Sequence, residues 1–162
     1  MRIPTKVHLN GENRCERREK TGMRSRYIHN VDGKNRLFMP SKYREELGSI
    51  FVVAQSFRDP CLTVRSLEEW EKYIAPIKQL ARKDAERALR KLVGNSIEVT
   101  PDAQGRIIIP SEMLKFAGIE KETVIIGCSD YAEIWASEVR AQREIEEAED
   151  DGWMQALEEQ GL

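Results

Sequence analysis

The chain has 162 residues, of which 40% are hydrophobic and 33% are charged, and its formal net charge is −2. No apolar run approaches the roughly 20 residues that a membrane-spanning helix needs, so the composition predicts a globular protein without a membrane segment. The three cysteines are odd in number and widely spaced, which favours a reducing cytoplasm and argues against disulfides and zinc.

The N-terminal segment has no secondary-structure pattern. Residues 1–22 are polar and strongly charged, and Met23 directly precedes the first patterned segment. We interpret residues 1–23 as a disordered extension. An alternative interpretation is that Met23 is the natural start of the protein.

A hairpin-like pattern follows the extension. We predict a strand over residues 26–31, a turn over residues 32–35 and a second strand over residues 36–39. Asn35 fits the turn because asparagine tolerates the left-handed backbone conformation that glycine adopts freely.

Helices and buried strands complete this first unit. Pro40 ends the strand, Ser41 is placed to cap a helix, and Gly48 is placed to end it. The next predicted elements are strands at residues 50–54 and 62–64, a capping box of Ser66 with Glu69, and a helical segment over residues 67–93 that Pro76 divides.

The same order of elements recurs in the second half. The motif Asp-x-x-x-Arg-x-x-x-Pro occurs twice, 70 residues apart, at Asp32, Arg36 and Pro40 and again at Asp102, Arg106 and Pro110. Conservation of an acid, a base and a proline at fixed spacing predicts a backbone turn held by an Asp–Arg pair. Gly105 is equivalent to Asn35, strands are predicted at residues 123–126 and 133–135, and Ser137 is equivalent to the capping serine.

Each unit is therefore β-turn-β-α-β-β followed by a helix, and two such short units are expected to share one core. We divide the chain into the extension, a first repeat, connecting helices, a second repeat and an acidic C-terminal helix or tail. The proposed boundaries are 1–23, 24–70, 71–95, 96–140 and 141–162.

Charge is segregated along the chain. Residues 24–48 hold six basic and three acidic side chains, whereas residues 137–162 hold two basic and nine acidic ones. The C-terminal segment is interpreted as a solubilising helix and tail, or alternatively as an apolar stripe that seals subunit contacts. The second half of the connecting helices is basic, and we interpret it as a solvated face on which Glu86 and Arg90 are paired. The alternative is that this half forms a DNA-facing patch in addition to the one considered next.

The two motif arginines are the main candidate site residues. Arg36 and Arg106 could each hold the turn of Asp32 or Asp102, or point outward and contact a polyanion. Arg36 has many basic neighbours in the sequence and Arg106 has few before Lys115, which favours the first repeat as the contact surface. The alternative is a solvated basic rim without a ligand.

Nothing in the sequence favours an enzyme. His29 stands alone near a predicted strand, and Cys61 and Cys128 have no histidine nearby in the sequence. We interpret both thiols as packed side chains and expect no catalytic residues, no metal and no cofactor.

The repeated motif resembles a known family. Residues 30–40 with residues 43–48 resemble the first repeat of the MraZ family of bacterial transcriptional regulators, and residues 102–110 resemble the second. The resemblance implies an α+β fold of two tandem AbrB-like β-α-β repeats, which interlock within one chain as a swapped-hairpin pseudo-dimer barrel with connecting and C-terminal helices. It also implies a homo-oligomeric ring that binds short direct repeats in double-stranded DNA.

The resemblance further implies a cytoplasmic, nucleoid-associated repressor of the division and cell-wall gene cluster, including its own gene. Carried over by position, the DNA-binding candidates are Lys34, Arg36, Arg44 and Arg106, with Asp32 and Asp102 as turn-stabilising residues. Asn35 departs from the family, which usually has glycine there.

Two other functions remain open from the sequence. One is a ring-forming protein-interaction or scaffold module with incidental DNA affinity. The other is an AbrB-like antitoxin, although such proteins usually carry one unit and a toxin-wrapping tail, whereas this chain carries two units.

Overall fold

A computed structural model describes residues 20–162, and residues 1–19 of the predicted disordered extension lie outside the described residues. Met23 is buried in the core. Its backbone N–H donates to the carbonyl of Ser129 at 2.8 Å, and the N–H of Ser129 donates back at 2.9 Å.

The described chain is a mixed α+β structure in which both predicted repeats form. The first repeat contains β1 (Arg26–Asn30), β2 (Arg36–Phe38), α1 (Ser41–Leu47), β3 (Phe51–Gln55) and β4 (Leu62–Ser66). The connecting segment contains α2 (Leu67–Ile74), a 3-10 turn (Ala75–Gln79), α3 (Arg82–Ala88) and a π-helical turn (Leu89–Val93). The second repeat contains β5 (Ser96–Val99), β6 (Arg106–Ile108), α4 (Ser111–Phe116), β7 (Glu122–Gly127) and β8 (Ala132–Ala136), followed by α5 (Ser137–Ala148) and α6 (Gly152–Glu159).

Strands pair between the repeats. A six-stranded antiparallel sheet has the order β1-β7-β8-β4-β3-β5, and β2 pairs with β6 in a separate two-stranded ribbon. The first strand of each repeat, β1 or β5, therefore pairs with a strand of the other repeat. Because β1 and β5 are the edges of the sheet, the described strands form an open sheet beside a ribbon rather than a closed barrel.

The predicted hairpin within the first repeat is wrong. The turn is present, but β1 pairs with β7 and β2 pairs with β6. The physical reason is burial: Leu37 in β2 meets Ile107 in β6, and both side chains are fully buried. A three-residue strand gains more by joining its equivalent across this core than by pairing with the exposed, polar end of β1.

The core is shared between the repeats, as predicted. Its fully buried side chains include two pairs that are equivalent under the 70-residue offset, Leu37 with Ile107 and Met39 with Ile109. Each half contributes its inward-facing strand residues to one cluster, so neither half could bury its apolar face alone.

Helix boundaries confirm some predictions and correct others. The Oγ of Ser66 accepts the N–H of Glu69 at 3.2 Å, and α2 ends at Ile74, next to Pro76, as predicted. Gly48 has a φ of +84° at the end of α1, also as predicted.

Two predicted caps are wrong. Ser41 and Ser137 are the first residues of α1 and α5, where the N-cap positions belong to Pro40 and Ala136 and no side chain caps the helix. Pro40 and Ala136 have extended backbones, and each helix begins directly after them. Each serine therefore lies one position too late to act as the N-cap.

The ribbon offers a matched pair of variants that tests the shared core. Ile107 is fully buried and its neighbour Ile108 is 64% exposed on the opposite face of the same strand. We expect Ile107→Ala to lower the free energy of unfolding by about 2–5 kcal/mol, because it leaves a cavity in the core. Ile108→Ala should change it by less than about 1 kcal/mol, since an exposed side chain leaves no cavity. Urea denaturation measures both, and equal effects would contradict the assigned facing of β6.

Candidate nucleic-acid interface

The side chain of Asp32 closes the first repeated turn. Its Oδ1 accepts the backbone N–H groups of Lys34 and Arg36, both at 2.9 Å, and its Oδ2 accepts Nε of Arg36 at 2.6 Å. The N–H of Asn35 donates to the carbonyl of Asp32 at 3.0 Å. Asn35 has a φ of +59°, so the predicted left-handed conformation is confirmed.

The second turn repeats these contacts atom for atom. Oδ1 of Asp102 accepts the N–H groups of Gln104 and Arg106, both at 2.9 Å, and Oδ2 accepts Nε of Arg106, also at 2.9 Å. Gly105 has a φ of +80°, equivalent to the conformation of Asn35. Different intervening residues therefore adopt one backbone turn, because the same carboxylate contacts hold both copies.

These hydrogen bonds lower the pKa of both aspartates. The main cause is the backbone N–H of Arg36 for Asp32 and the backbone N–H of Arg106 for Asp102, with the guanidinium contact adding to the effect in each case. Desolvation opposes these effects only in part. Both carboxylates therefore remain charged at neutral pH, when each can balance its own arginine.

We call β2, β6 and the two turns over residues 32–35 and 102–105 the turn ribbon. Its antiparallel register pairs Arg36 with Ile108, Leu37 with Ile107, and Phe38 with Arg106. Since side chains alternate along a strand, the buried central pair places the four other side chains on the outward face. The two arginines thus lie on one face, on different strands, as diagonal neighbours about 7–8 Å apart.

Each motif arginine is held by one edge of its guanidinium group. The contact with aspartate uses Nε, and among residues 20–162 neither Nη1 nor Nη2 of Arg36 or Arg106 donates a hydrogen bond. The side chains are 28% and 29% exposed. One arginine can therefore hold its turn and still offer two terminal amino groups to a ligand, so the two roles that the sequence left as alternatives are compatible.

Arg44 reaches from the first repeat to the second turn. Its Nε donates to the carbonyl of Met39 at 3.0 Å, and its guanidinium carbon lies 5.7 Å from the centre of the Phe38 ring. A Cβ added at Gly105 would come within 2.7 Å of that guanidinium carbon. Glycine suits position 105 because of its positive φ, and a side chain there would displace the Arg44 guanidinium.

This contact corrects the expectation that Arg106 has few basic neighbours. The sequence places Arg44 in the first repeat, but the fold places it against the turn that holds Arg106. Both ends of the turn ribbon therefore carry more than one basic side chain, with the exposed Lys34 at the first turn.

The first turn is tied to the second repeat in a different way. Nδ2 of Asn35 donates to Oγ of Ser111 at 2.9 Å, and its carbonyl accepts the N–H of Ile109 at 2.9 Å. The position equivalent to Arg44 is Leu114, which is buried. Since no guanidinium occupies that position, an asparagine fits where the family usually has glycine.

Several other basic side chains are already paired with acids. Arg26 forms an ion pair with Glu144 of α5. Arg82 and Arg90 lie 3.2 and 3.7 Å from the carboxylate oxygens of Glu86, which confirms the predicted Glu86–Arg90 pair. Within residues 24–48, the charge of Arg26 is therefore already balanced by an acid of the C-terminal segment.

Phe38, Ile108 and His29 also belong to this surface, which was not predicted from the sequence. Phe38 and Ile108 share the outward face with the arginines, and the His29 ring packs edge-on against Phe38 at 5.0 Å. The signal that could have found the first two is the period of two in Arg36-Leu37-Phe38 and Arg106-Ile107-Ile108. The packing of His29 had no sequence signal because it joins two separate strands.

The thiols are packed, as predicted. Burial raises the pKa of Cys61 to about 12, and burial also raises the pKa of Cys128. Within residues 20–162 no group of three histidine, cysteine or acidic side chains is placed to hold a metal ion. None of the helices in that range is long and apolar enough to cross a membrane.

Comparison with known proteins gives matches over both repeats. A family model described as "MraZ protein, putative antitoxin-like" matches residues 23–91 and 92–150. Three similar proteins are each named transcriptional regulator MraZ. The protein of Thermoanaerobacter sp. strain X514 is 44% identical over 115 residues, which cover 70% of this chain and 80% of that protein. Those of Acetivibrio thermocellus and Clostridium tetani are 41% and 40% identical, over 67% and 69% of this chain and 77% and 80% of the relatives.

The low pKa values of Asp32 and Asp102 predict acid sensitivity. An aspartate in an unfolded chain has a pKa of about 3.9. Because the folded values are lower, the turn contacts contribute their full stability above that pH, and the contribution is lost as the pH falls through the folded pKa values. We expect the midpoint temperature of unfolding to decrease below about pH 4.

The matched variants are Asp32→Asn, Asp102→Asn and, as control, Asp130→Asn, which changes an exposed carboxylate outside the turns. The two turn variants should have lower midpoints at neutral pH and a smaller decrease in acid than the wild type. The control should follow the wild-type profile. Thermal unfolding followed by circular dichroism measures this, and an unchanged acid response in both turn variants would contradict the assignment.

Proposed function

The chain belongs to the MraZ family, and we propose that it regulates transcription by binding double-stranded DNA through the turn ribbon. Membership of this family of regulators also places the chain outside the enzymes. The DNA-contacting residues in this proposal are Arg36 and Arg106, with Lys34 and Arg44 beside them.

One observation carries the proposal. Two arginines lie on the same outward face of a two-stranded ribbon, each aligned by an aspartate through Nε with its terminal amino groups unbonded among the described residues. A side chain that is aligned before binding loses less conformational freedom when it contacts its ligand. Arginine also presents paired donors that suit phosphate oxygens or the O6 and N7 atoms of guanine.

The dimensions of the ribbon suit the major groove of DNA. That groove admits a two-stranded β-ribbon, and the diagonal spacing of the arginines, about 7–8 Å, corresponds to about two base-pair steps of 3.4 Å. Phe38 and Ile108 on the same face could contact thymine methyl groups. The interface would thus combine phosphate positioning with direct contact to base edges.

We further propose that the repeats act as the swapped-hairpin pseudo-dimer of the family, with the turn ribbon beside the open sheet. In this arrangement the 70-residue repeat supplies two related contacts from one chain. Several chains in a ring would present many such ribbons, and direct repeats at near helical-turn spacing would engage neighbouring copies on one face of the duplex. Weak single contacts would then give one tight complex.

The regulatory target is part of the same proposal. We propose repression of the division and cell-wall gene cluster, including the gene for this protein, by a cytoplasmic and nucleoid-associated regulator. A reporter fused to the upstream region of that gene should be less active when the protein is expressed than when it is absent.

The direct test is fluorescence anisotropy with the upstream DNA of the gene and with a scrambled duplex across a salt series. We expect tight binding to the upstream DNA alone, with a salt slope that reports the number of phosphate contacts. Arg36→Ala and Arg106→Ala should each weaken this binding by about 10-fold or more, the loss expected of a bidentate arginine contact. Arg82→Ala, which removes a 93% exposed arginine on α3, should stay within about twofold of the wild type.

A comparison with Asp32→Ala separates DNA contact from turn stability. Arg36→Ala and Asp32→Ala break the same ion pair, but only the first removes a cation. If Arg36 contacts DNA, Arg36→Ala weakens binding more than Asp32→Ala at the same melting temperature and oligomer mass. If both variants lose the same amount of DNA affinity, Arg36 only holds the turn. If the wild type binds the upstream and the scrambled duplex equally, with the same dependence on salt, the scaffold function is favoured.

A further inference from the structure

A basic-rimmed apolar groove lies away from the turn ribbon. It has a volume of about 680 Å³ and is formed by the β3–β4 loop, α3, the π-helical turn and the end of α4. Phe57, Leu92 and Phe116 give it an apolar surface, and Phe57 and Phe116 are 57% and 39% exposed.

The rim of this groove is positively charged. Arg58, Arg87 and Lys91 line it, and Arg58 stacks on the Phe57 ring at 5.2 Å. The acid of the lining, Asp59, lies 4.0 Å from Arg143 of α5. A ligand for this groove should therefore combine apolar side chains with negative charge.

Helix α6 has this chemistry, and none of its residues is buried. All eight of its residues are exposed, including Trp153, Met154 and Leu157 at 57%, 48% and 39%. Trp153 is four residues and Met154 three residues before Leu157, so both lie on the helix face of Leu157. Glu158 and Glu159 follow them, and the whole segment over residues 137–162 has nine acids against two basic residues.

The helix does not fill the groove of its own chain. Trp153 lies in a different concavity, with Arg26, Arg140 and Glu147. Helix α6 also begins beyond residue 150, where the family match ends. An exposed acidic helix with an apolar face and an exposed basic groove with an apolar floor are therefore both present in one chain, and the helix does not lie in the groove.

We propose that α6 of one copy binds the groove of a second copy. Trp153, Met154 and Leu157 would pack on Phe57, Leu92 and Phe116, and the acids around α6 would face Arg58, Arg87 and Lys91. This is the mode in which an amphipathic helix lies in a hydrophobic groove. Because helix and groove are different surfaces, the contact is head-to-tail, and such contacts close into rings when the rotation allows.

This inference rests on the proposed function in one respect, because the contact would join the copies of the proposed ring. Its test requires no DNA. We would measure the mass of the full chain in solution by light scattering after size exclusion. Leu157→Asp disables the helix and Phe57→Asp disables the groove, and both changes are at exposed positions, so each variant should remain folded, which circular dichroism checks. Each variant alone should be monomeric, whereas the wild type should form larger assemblies.

Mixing the two variants gives the decisive result. Leu157→Asp retains an intact groove and Phe57→Asp retains an intact α6, so an equimolar mixture should form a species of two chains and nothing larger. Ile145→Asp, a matched change at a 61% exposed apolar residue of α5, should keep the wild-type mass. A monomeric wild type, wild-type mass in either groove or helix variant, or a mixture that stays monomeric would overturn the proposal. If the masses are as expected but the wild type does not bind the upstream DNA, the DNA function alone would be refuted.

Discussion

A single carboxylate that accepts two backbone N–H groups and one guanidinium Nε determines the conformation of each repeated turn. In both copies this contact fixes where β2 or β6 begins and therefore which residues of the ribbon face inward. Leu37 and Ile107 then meet in the core, and the arginines are left on the outer face. The interaction that stabilises the turn is thus also the one that aligns the proposed binding groups, so structure and function share the same two side chains.

Exchange of strands makes the two repeats interdependent. The sheet joins β1 to β7 and β3 to β5, and each turn is bonded to the other repeat through Asn35 or Gly105. The repeats have nevertheless diverged where they touch. Arg44 occupies a position whose equivalent is the buried Leu114, so the guanidinium beside Gly105 has no counterpart beside Asn35. Duplication supplied the symmetry, and local packing then changed the two ends separately.

Much of this structure could be predicted from local sequence signals. The 70-residue repeat, the left-handed Asn35, the cap at Ser66 and the break at Pro76 all depend on residues close together in the chain. Strand partners could not be predicted in this way, because the hairpin signal around residues 32–35 specifies a turn but not which strand its arms join. The position of Arg44 beside Gly105 and the ion pair of Arg26 with Glu144 were missed for the same reason, since each joins residues that are more than 60 positions apart.

The proposed function requires that DNA lies against the outward face of the turn ribbon. Photo-crosslinking tests it most directly, with benzoylphenylalanine in place of Ile108 on that face and, separately, in place of Leu89 on the basic connecting segment. We expect the probe at position 108 to crosslink to the upstream DNA of the gene and the probe at position 89 not to crosslink. Crosslinking from position 89 without crosslinking from position 108 would show that DNA binds the connecting helices and not the turn ribbon.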